Sequence, residues 1–213
     1  MPEVERLSFV ASPTFDPDEI QLDKITYLNI SSESGKPSLK GLEKYANTIK
    51  GIQLIGNFAN HTEVISSFKN LVTLAFYGID LKNLDFLKGL PLKSFTSRGT
   101  GIKDFTALGE IKTLTYINIR DSRIDSVDFI GKLPNLELLC LWWFTNITSL
   151  PNFDEMKQLK YIEVFKCKRL LDIESVKRLG ERCGIRIWGC ELLPRAEGLG
   201  YSNKTSHQYF NAF

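Results

Sequence analysis

The chain repeats itself. The spacing L-x-x-L-x-L-x-x-N/C-x-L fits "IKGIQLIGN" from Ile49, "LVTLAFYGIDL" from Leu71 and "LKSFTSRGTGI" from Leu92. It fits again at "LTYINIRDSRI" from Leu114, "LELLCLWWFTNI" from Leu136 and "LKYIEVFKCKRL" from Leu159. The starts lie 22, 21, 22, 22 and 23 residues apart. "ITYLNISS" from Ile25 reads as an earlier member, and "CGIRIWGC" around Ile185 as a last strand. No other feature restricts the fold as strongly. A short strand and its return segment cannot bury their apolar side alone, so each unit must stack on its neighbours.

On these motifs the sequence resembles the leucine-rich repeat family, in particular the 22-residue type of internalins and SDS22-like phosphatase regulators, over residues 25 to about 190. The later halves of the units, such as "IKDFTALGEIKT" and "IDSVDFIGKLPN", share the resemblance. It implies an α/β solenoid: a horseshoe with a parallel β-sheet on its concave face and short helices or turns on its convex face. Template positions 1, 4, 6 and 11 then stack inward. Position 9, ordinarily Asn or Cys, is here Asn57, Ile79, Thr100, Ser122, Phe144 and Cys167, which predicts an irregular array.

Residues 1–24 read as an N-terminal cap with a strand in "VERLSFV", and 25–173 as about seven repeats. Residues 174–193 read as a capping helix, "ESVKRLGERCG" with Val176 and Leu179 inward, followed by the last strand. A further helix is expected around "SLKGLEKYA", after Gly35-Lys36-Pro37. Residues 194–213 form a tail, either mobile or folded as a covering strand.

Positions 3, 5 and 7 of each unit must project from the sheet. Position 7 reads Ser31, Ile55, Tyr77, Arg98, Arg120, Trp142, Phe165 and Trp188. Positions 3 and 5 of the later units add Tyr116, Leu138, Tyr161, Cys140, Glu163 and Arg186. The expected partner-binding surface is therefore Tyr77, Arg98, Tyr116, Arg120, Leu138, Trp142, Tyr161, Glu163, Phe165, Arg186 and Trp188. Trp, Tyr and Arg are the residue types enriched at binding hot spots. Two plainer readings compete: cover by tail residues such as Tyr201, Tyr209, Phe210 and Phe213, or aromatic stacking for stability alone. Of the adjacent tryptophans, Trp142 should face the concave side. Phe144 should turn inward, with Trp143 half-exposed beside it.

A net charge of +2 gives no basic excess of the kind that marks nucleic-acid binders. The N-terminus lacks the basic flank and apolar run of a secretory signal, and no apolar stretch reaches the ~18 residues of a membrane span. Four N-x-[ST] triplets, at Asn29, Asn60, Asn146 and Asn203, then read as chance matches. Cys140, Cys167, Cys183 and Cys190 form no CxxC pair and read as reduced thiols of a cytoplasmic protein, with a Cys183–Cys190 bridge the alternative.

Two histidines, His61 and His207, offer no catalytic or metal-ligating set, and no nucleophile or phosphate-loop motif is present. Asp85, Asp104 and Asp128 recur at matching convex positions and read as turn residues. Cys140 faces the partner side without a predictable base. The expectation is a protein without catalysis, cofactor or metal. It would be monomeric when free and hold one protein partner on its concave face. A bacterial immunity protein neutralising a cognate toxin is the preferred specific reading. An SDS22-like phosphatase subunit, an exported internalin-like adhesin and an RNA-associated scaffold are the alternatives.

Overall fold

The computed structural model describes residues 4–58 and 62–193. His61, His207, Asn60, Asn203 and the tail aromatics named above lie outside the described residues. Within each unit, two apolar positions alternate with three outward ones, a period of two that favours a short strand. The described residues form one open parallel sheet of nine strands in sequence order. These are β1 (Arg6–Val10), β2 (Tyr27–Ser31), β3 (Gly51–Ile55), β4 (Thr73–Tyr77), β5 (Ser94–Arg98), β6 (Tyr116–Arg120), β7 (Leu138–Trp142), β8 (Tyr161–Phe165) and β9 (Gly184–Trp188). Strands β2 to β9 occupy template positions 3 to 7, and the register never slips: Thr73, Ser94, Tyr116, Leu138 and Tyr161 stand side by side.

Position 1 of the units, from Ile25 to Leu159, is buried throughout, as are inward pairs such as Leu74 and Phe76 or Leu139 and Leu141. A phenylalanine row runs behind the middle strands. Phe76, Phe95 and Phe105 meet edge to face at 6.0 and 6.3 Å, and Phe105 stacks on Phe129 at 6.2 Å. Ser97 is the polar exception at position 6, and its hydroxyl is satisfied by Thr100 at 2.7 Å.

Apolar Ile79, Phe144 and Cys167 fill position 9 of the core, so the usual asparagine ladder is absent there. Its work is partly done one residue before position 1. Asn70 and Asn135 donate to the carbonyls of Asn47 and Lys112, each at 2.8 Å, in the preceding unit. The unit from Leu136 carries one extra residue, absorbed in its turn: Ile147 is wholly buried one place late.

The return segments are almost all 3-10 turns, which cover about 2.0 Å per residue against about 1.5 Å for an α-helix and so suit short returns. The helix expected around "SLKGLEKYA" is a 3-10 turn over Leu42–Tyr45. The capping helix is also shorter than its sequence suggests. Only α1 (Glu174–Lys177) is α-helical, and a 3-10 turn at Gly180–Arg182 follows, because Gly180 adopts a left-handed φ of 57°. Val176 and Leu179 nevertheless point inward and are buried. Asp85 and Asp128 open 3-10 turns, while Asp104 accepts from the Thr106 N–H at 2.8 Å. That bond holds the Asp104 carboxyl below its ordinary pKa. These three are turn residues.

Candidate functional site

The register carries the position-7 row unbroken from Tyr77 through Arg98, Arg120, Trp142 and Phe165 to Trp188. Beside it, Tyr116, Leu138 and Tyr161 occupy position 3 of three successive strands. Glu163 and Arg186 are neighbours at position 5. All eleven residues singled out from sequence thus lie on one face, with unequal access. Arg98, Arg186 and Trp188 are exposed, Tyr77, Arg120, Leu138 and Trp142 are half-buried, and Tyr116, Tyr161, Glu163 and Phe165 are buried.

The aromatic part is a continuous cluster. Trp142 meets Phe165 edge to face at 5.7 Å, and Phe165 stacks on Trp188 at 3.6 Å with a 22° interplanar angle. Trp143 closes the group at 5.6 Å from Trp142 and 5.3 Å from Phe165. Phe144 turns fully into the core, so the tryptophan pair divides as its alternation requires.

The charged part is built onto those rings. The Arg120 guanidinium lies 3.6 Å from the centroid of Trp142, and its Nε donates to Asn118 Oδ1 at 2.9 Å. Asn118 in turn donates to the Tyr116 hydroxyl at 2.9 Å. Arg120 is therefore held by a ring and an amide. Arg98 is its register partner, and no ion pair to either arginine forms among the described residues. Arg186 sits 5.0 Å from the Trp188 centroid and pairs with Glu163 at 3.3 Å.

Glu163 is only 2% exposed. Burial pushes its carboxyl above the ordinary 4.5, with Arg186 and the nearby indoles of Trp188 and Trp142 opposing. Neither Glu163 Oε2 nor the Trp142 indole nitrogen completes a hydrogen bond of full geometry. Burial also raises Tyr116, and lifts Tyr161 to about 12.

Two contributors stand outside those eleven residues. Lys166 places its ammonium 5.2 Å over Phe165, and Asn118 bridges Tyr116 to Arg120. The turn after each strand explains how Lys166 and Trp143 reach the cluster. Template position 8 is left-handed in seven units: Gly56, Gly78, Gly99, Asp121, Trp143, Lys166 and Gly189. A row of glycines with three side chains inserted was visible in the sequence as a signal that these turns are special.

Nothing in the face suggests covalent chemistry. Burial pushes the Cys140 thiol up to about 12, and it is 1% exposed. Among the described residues, no group of three or more His, Cys, Asp or Glu could hold a metal ion. No described helix is long and apolar enough to cross a membrane. Beside the strand ends, an open cleft of about 720 Å³ is lined by Asp80, Thr100, Lys103, Asp121, Arg123 and Asp125. Its charges are mixed.

An unbroken parallel ladder of five-residue strands, with 3-10 returns and a single stacked core, defines a leucine-rich repeat solenoid. Solved structures share it. Internalin C2 from Listeria monocytogenes superposes with a TM-score of 0.57 at 17% identity, covering 80% of this chain and 81% of its own. Internalin F from the same organism gives 0.57 at 15% identity, covering 82% of this chain and 55% of its own. No family model matches the chain, and no curated protein matches it in sequence.

Proposed function

We propose that this chain is a non-catalytic scaffold that binds one protein partner through the open face of β5 to β9, as a monomer, and acts by covering or sequestering it. The observation that carries the reading is the row Arg98–Arg120–Trp142–Phe165–Trp188, in which Arg120 and the three rings are held against one another beside an exposed Arg98. Pre-fixed side chains lose little entropy on binding, and rings and arginines supply most hot-spot energy.

Charge narrows the partner's chemistry. The outward positions of the nine strands hold Arg6, Arg98, Arg120 and Arg186 against the single acid Glu163, which Arg186 already pairs. The partner surface that fits is apolar at its centre and acidic where it meets Arg98 and Arg120. A toxin neutralised by occlusion would satisfy this, and intracellular action on a dedicated target remains the preferred specific form. The fold shared with internalins supports an exported adhesin as the second reading. Recovery of the native protein from culture supernatant rather than cells would select it.

The test is capture of partners from the source cell by wild type and by an Arg98→Glu, Trp188→Ala variant. Arg98 is exposed and Trp188 lies at the open edge of the cluster, so the variant should still fold cooperatively, with a melting temperature lowered by no more than the loss of the Phe165 stack. A single acidic protein retained by wild type and lost by the variant is the expected result. Equal capture by both would refute a partner site on this face.

A further inference from the structure

Cys167 and Cys190 hold the same template position in consecutive units. Each lies two residues beyond the end of its strand, and those strand ends, Phe165 and Trp188, are register partners. Neighbouring strands stand about 4.8 Å apart, inside the ~4.4–6.8 Å Cα separation that a disulfide spans. The Cys190 sulfur already reaches Cys167: it accepts from the Cys167 backbone N–H at 3.4 Å and from the Cys167 thiol. The bridge weighed from sequence, Cys183 to Cys190, is not formed: both are free thiols, and the neighbour of Cys190 is Cys167.

The two positions are unequal in a useful way. Cys190 is half-buried at the edge of the sheet, whereas Cys167 is wholly buried, its thiol against the carbonyls of Leu141 and Phe165 at 3.7 and 3.8 Å. Hydrogen bonding from the Cys167 thiol, and then from its backbone N–H, draws Cys190 below its ordinary pKa. The same contact, with burial, pushes Cys167 up. Cys140 and Cys183 are covered and held protonated by burial, at about 12 and about 11.

We propose that Cys167 and Cys190 are an oxidation site at which a peroxide converts the thiol pair into a disulfide that clips β9 to the rest of the array. The Cys190 thiolate attacks a peroxide oxygen. The O–O bond breaks, an S–O bond forms, and the released alkoxide or hydroxide takes up a proton as alcohol or water. The Cys167 sulfur then attacks the Cys190 sulfenic sulfur, forming S–S and breaking S–O, and the departing hydroxide leaves as water with the Cys167 proton. Two thiols lose two electrons and one peroxide gains them.

The clip falls at one open end of the sheet. β9 is the last strand, and its inward Ile185 and Ile187 are only partly buried. The closed loop contains α1 and β9, and the bond would fix the stacked pair Phe165 and Trp188. This site does not depend on the identity of the partner.

The folded protein would be treated with a small excess of hydrogen peroxide, blocked with an alkylating reagent after unfolding, and mapped by mass spectrometry. The expected product is a monomer lighter by about two mass units before alkylation, with Cys167 and Cys190 peptides joined and Cys140 and Cys183 alkylated after it. In Cys167→Ala, Cys190 should be trapped by dimedone as a sulfenic acid. In Cys190→Ser, an edge change that spares the core, Cys167 should stay unmodified. A Cys183–Cys190 link, a Cys190 sulfinic acid beside a free Cys167, or cross-linked dimers alone would each overturn the proposal.

Discussion

The two halves of the sheet share one backbone and present different surfaces. On the N-terminal strands the middle outward row, Ser8, Asn29, Gln53 and Ala75, is small or amide-bearing, with one arginine, Arg6, lying over Tyr27 at the strand starts. Gln53 donates to Asn29 Oδ1 at 3.2 Å and Asn29 to Ser8 Oγ at 2.9 Å, a polar ladder that satisfies itself. On the C-terminal strands the outward positions carry Trp142, Phe165, Trp188 and three arginines; among the described residues no ion pair forms to Arg98, and Glu163 Oε2 is buried with no hydrogen bond of full geometry. A repeat scaffold fixes where side chains stand and leaves what they do to each unit. The candidate recognition half is the one that gathers rings and guanidinium groups on its open face.

The largest test of this contrast is Trp142→Ala. The ring is wedged between Arg120, Trp143 and Phe165, so its loss should lower stability by about 2–3 kcal/mol in denaturant melts. If Trp142→Ala melts like wild type, the cluster is not packed as a unit.

A second test is the pH dependence of Glu163→Gln. Because the native carboxyl binds its proton more tightly than the unfolded chain does, its contribution to stability falls as pH rises from 4.5 through the native value. The variant should therefore gain on wild type in melting temperature as pH rises above 4.5, until the native carboxyl is fully ionised. A constant difference would mean that Arg186 fully compensates the burial.

Arg120→Ala should cost about 0.5–1 kcal/mol, the worth of the guanidinium on Trp142, and shift tryptophan emission. At the small end, Asn29→Ala in the polar ladder should stay within about 0.5 kcal/mol of wild type. A larger loss there would erase the distinction between the halves.

The strands were legible because stacking enforces the period. Positions 3 to 7 of the template are β2 to β9, residue for residue, from Tyr27 to Trp188. The N-terminal cap strand also appears, at Arg6–Val10. The site was legible as rows, since register alone aligns Arg98, Arg120 and Trp142. What stayed hidden depends on side chains meeting across units. Asn118 as the link between Tyr116 and Arg120, the burial of Glu163 and the pairing of Cys190 with Cys167 have no local signature. The return segments misled for another reason: their sequences suit helix, and length decides between α and 3-10.

The left-handed turns at Asp121, Trp143 and Lys166 have a bearing on how this surface could change. Elsewhere the same turn is glycine, which adopts it without steric penalty, so these three units accept strain of about 1 kcal/mol or more each to place a side chain at the rim. Glycine at any of them would make the chain more comfortable and the face blanker. The three follow β6, β7 and β8, beside the aromatic row. Variation that alters what the protein holds can enter at these turns one residue at a time, because a return to glycine is always structurally open and the ladder behind it does not move.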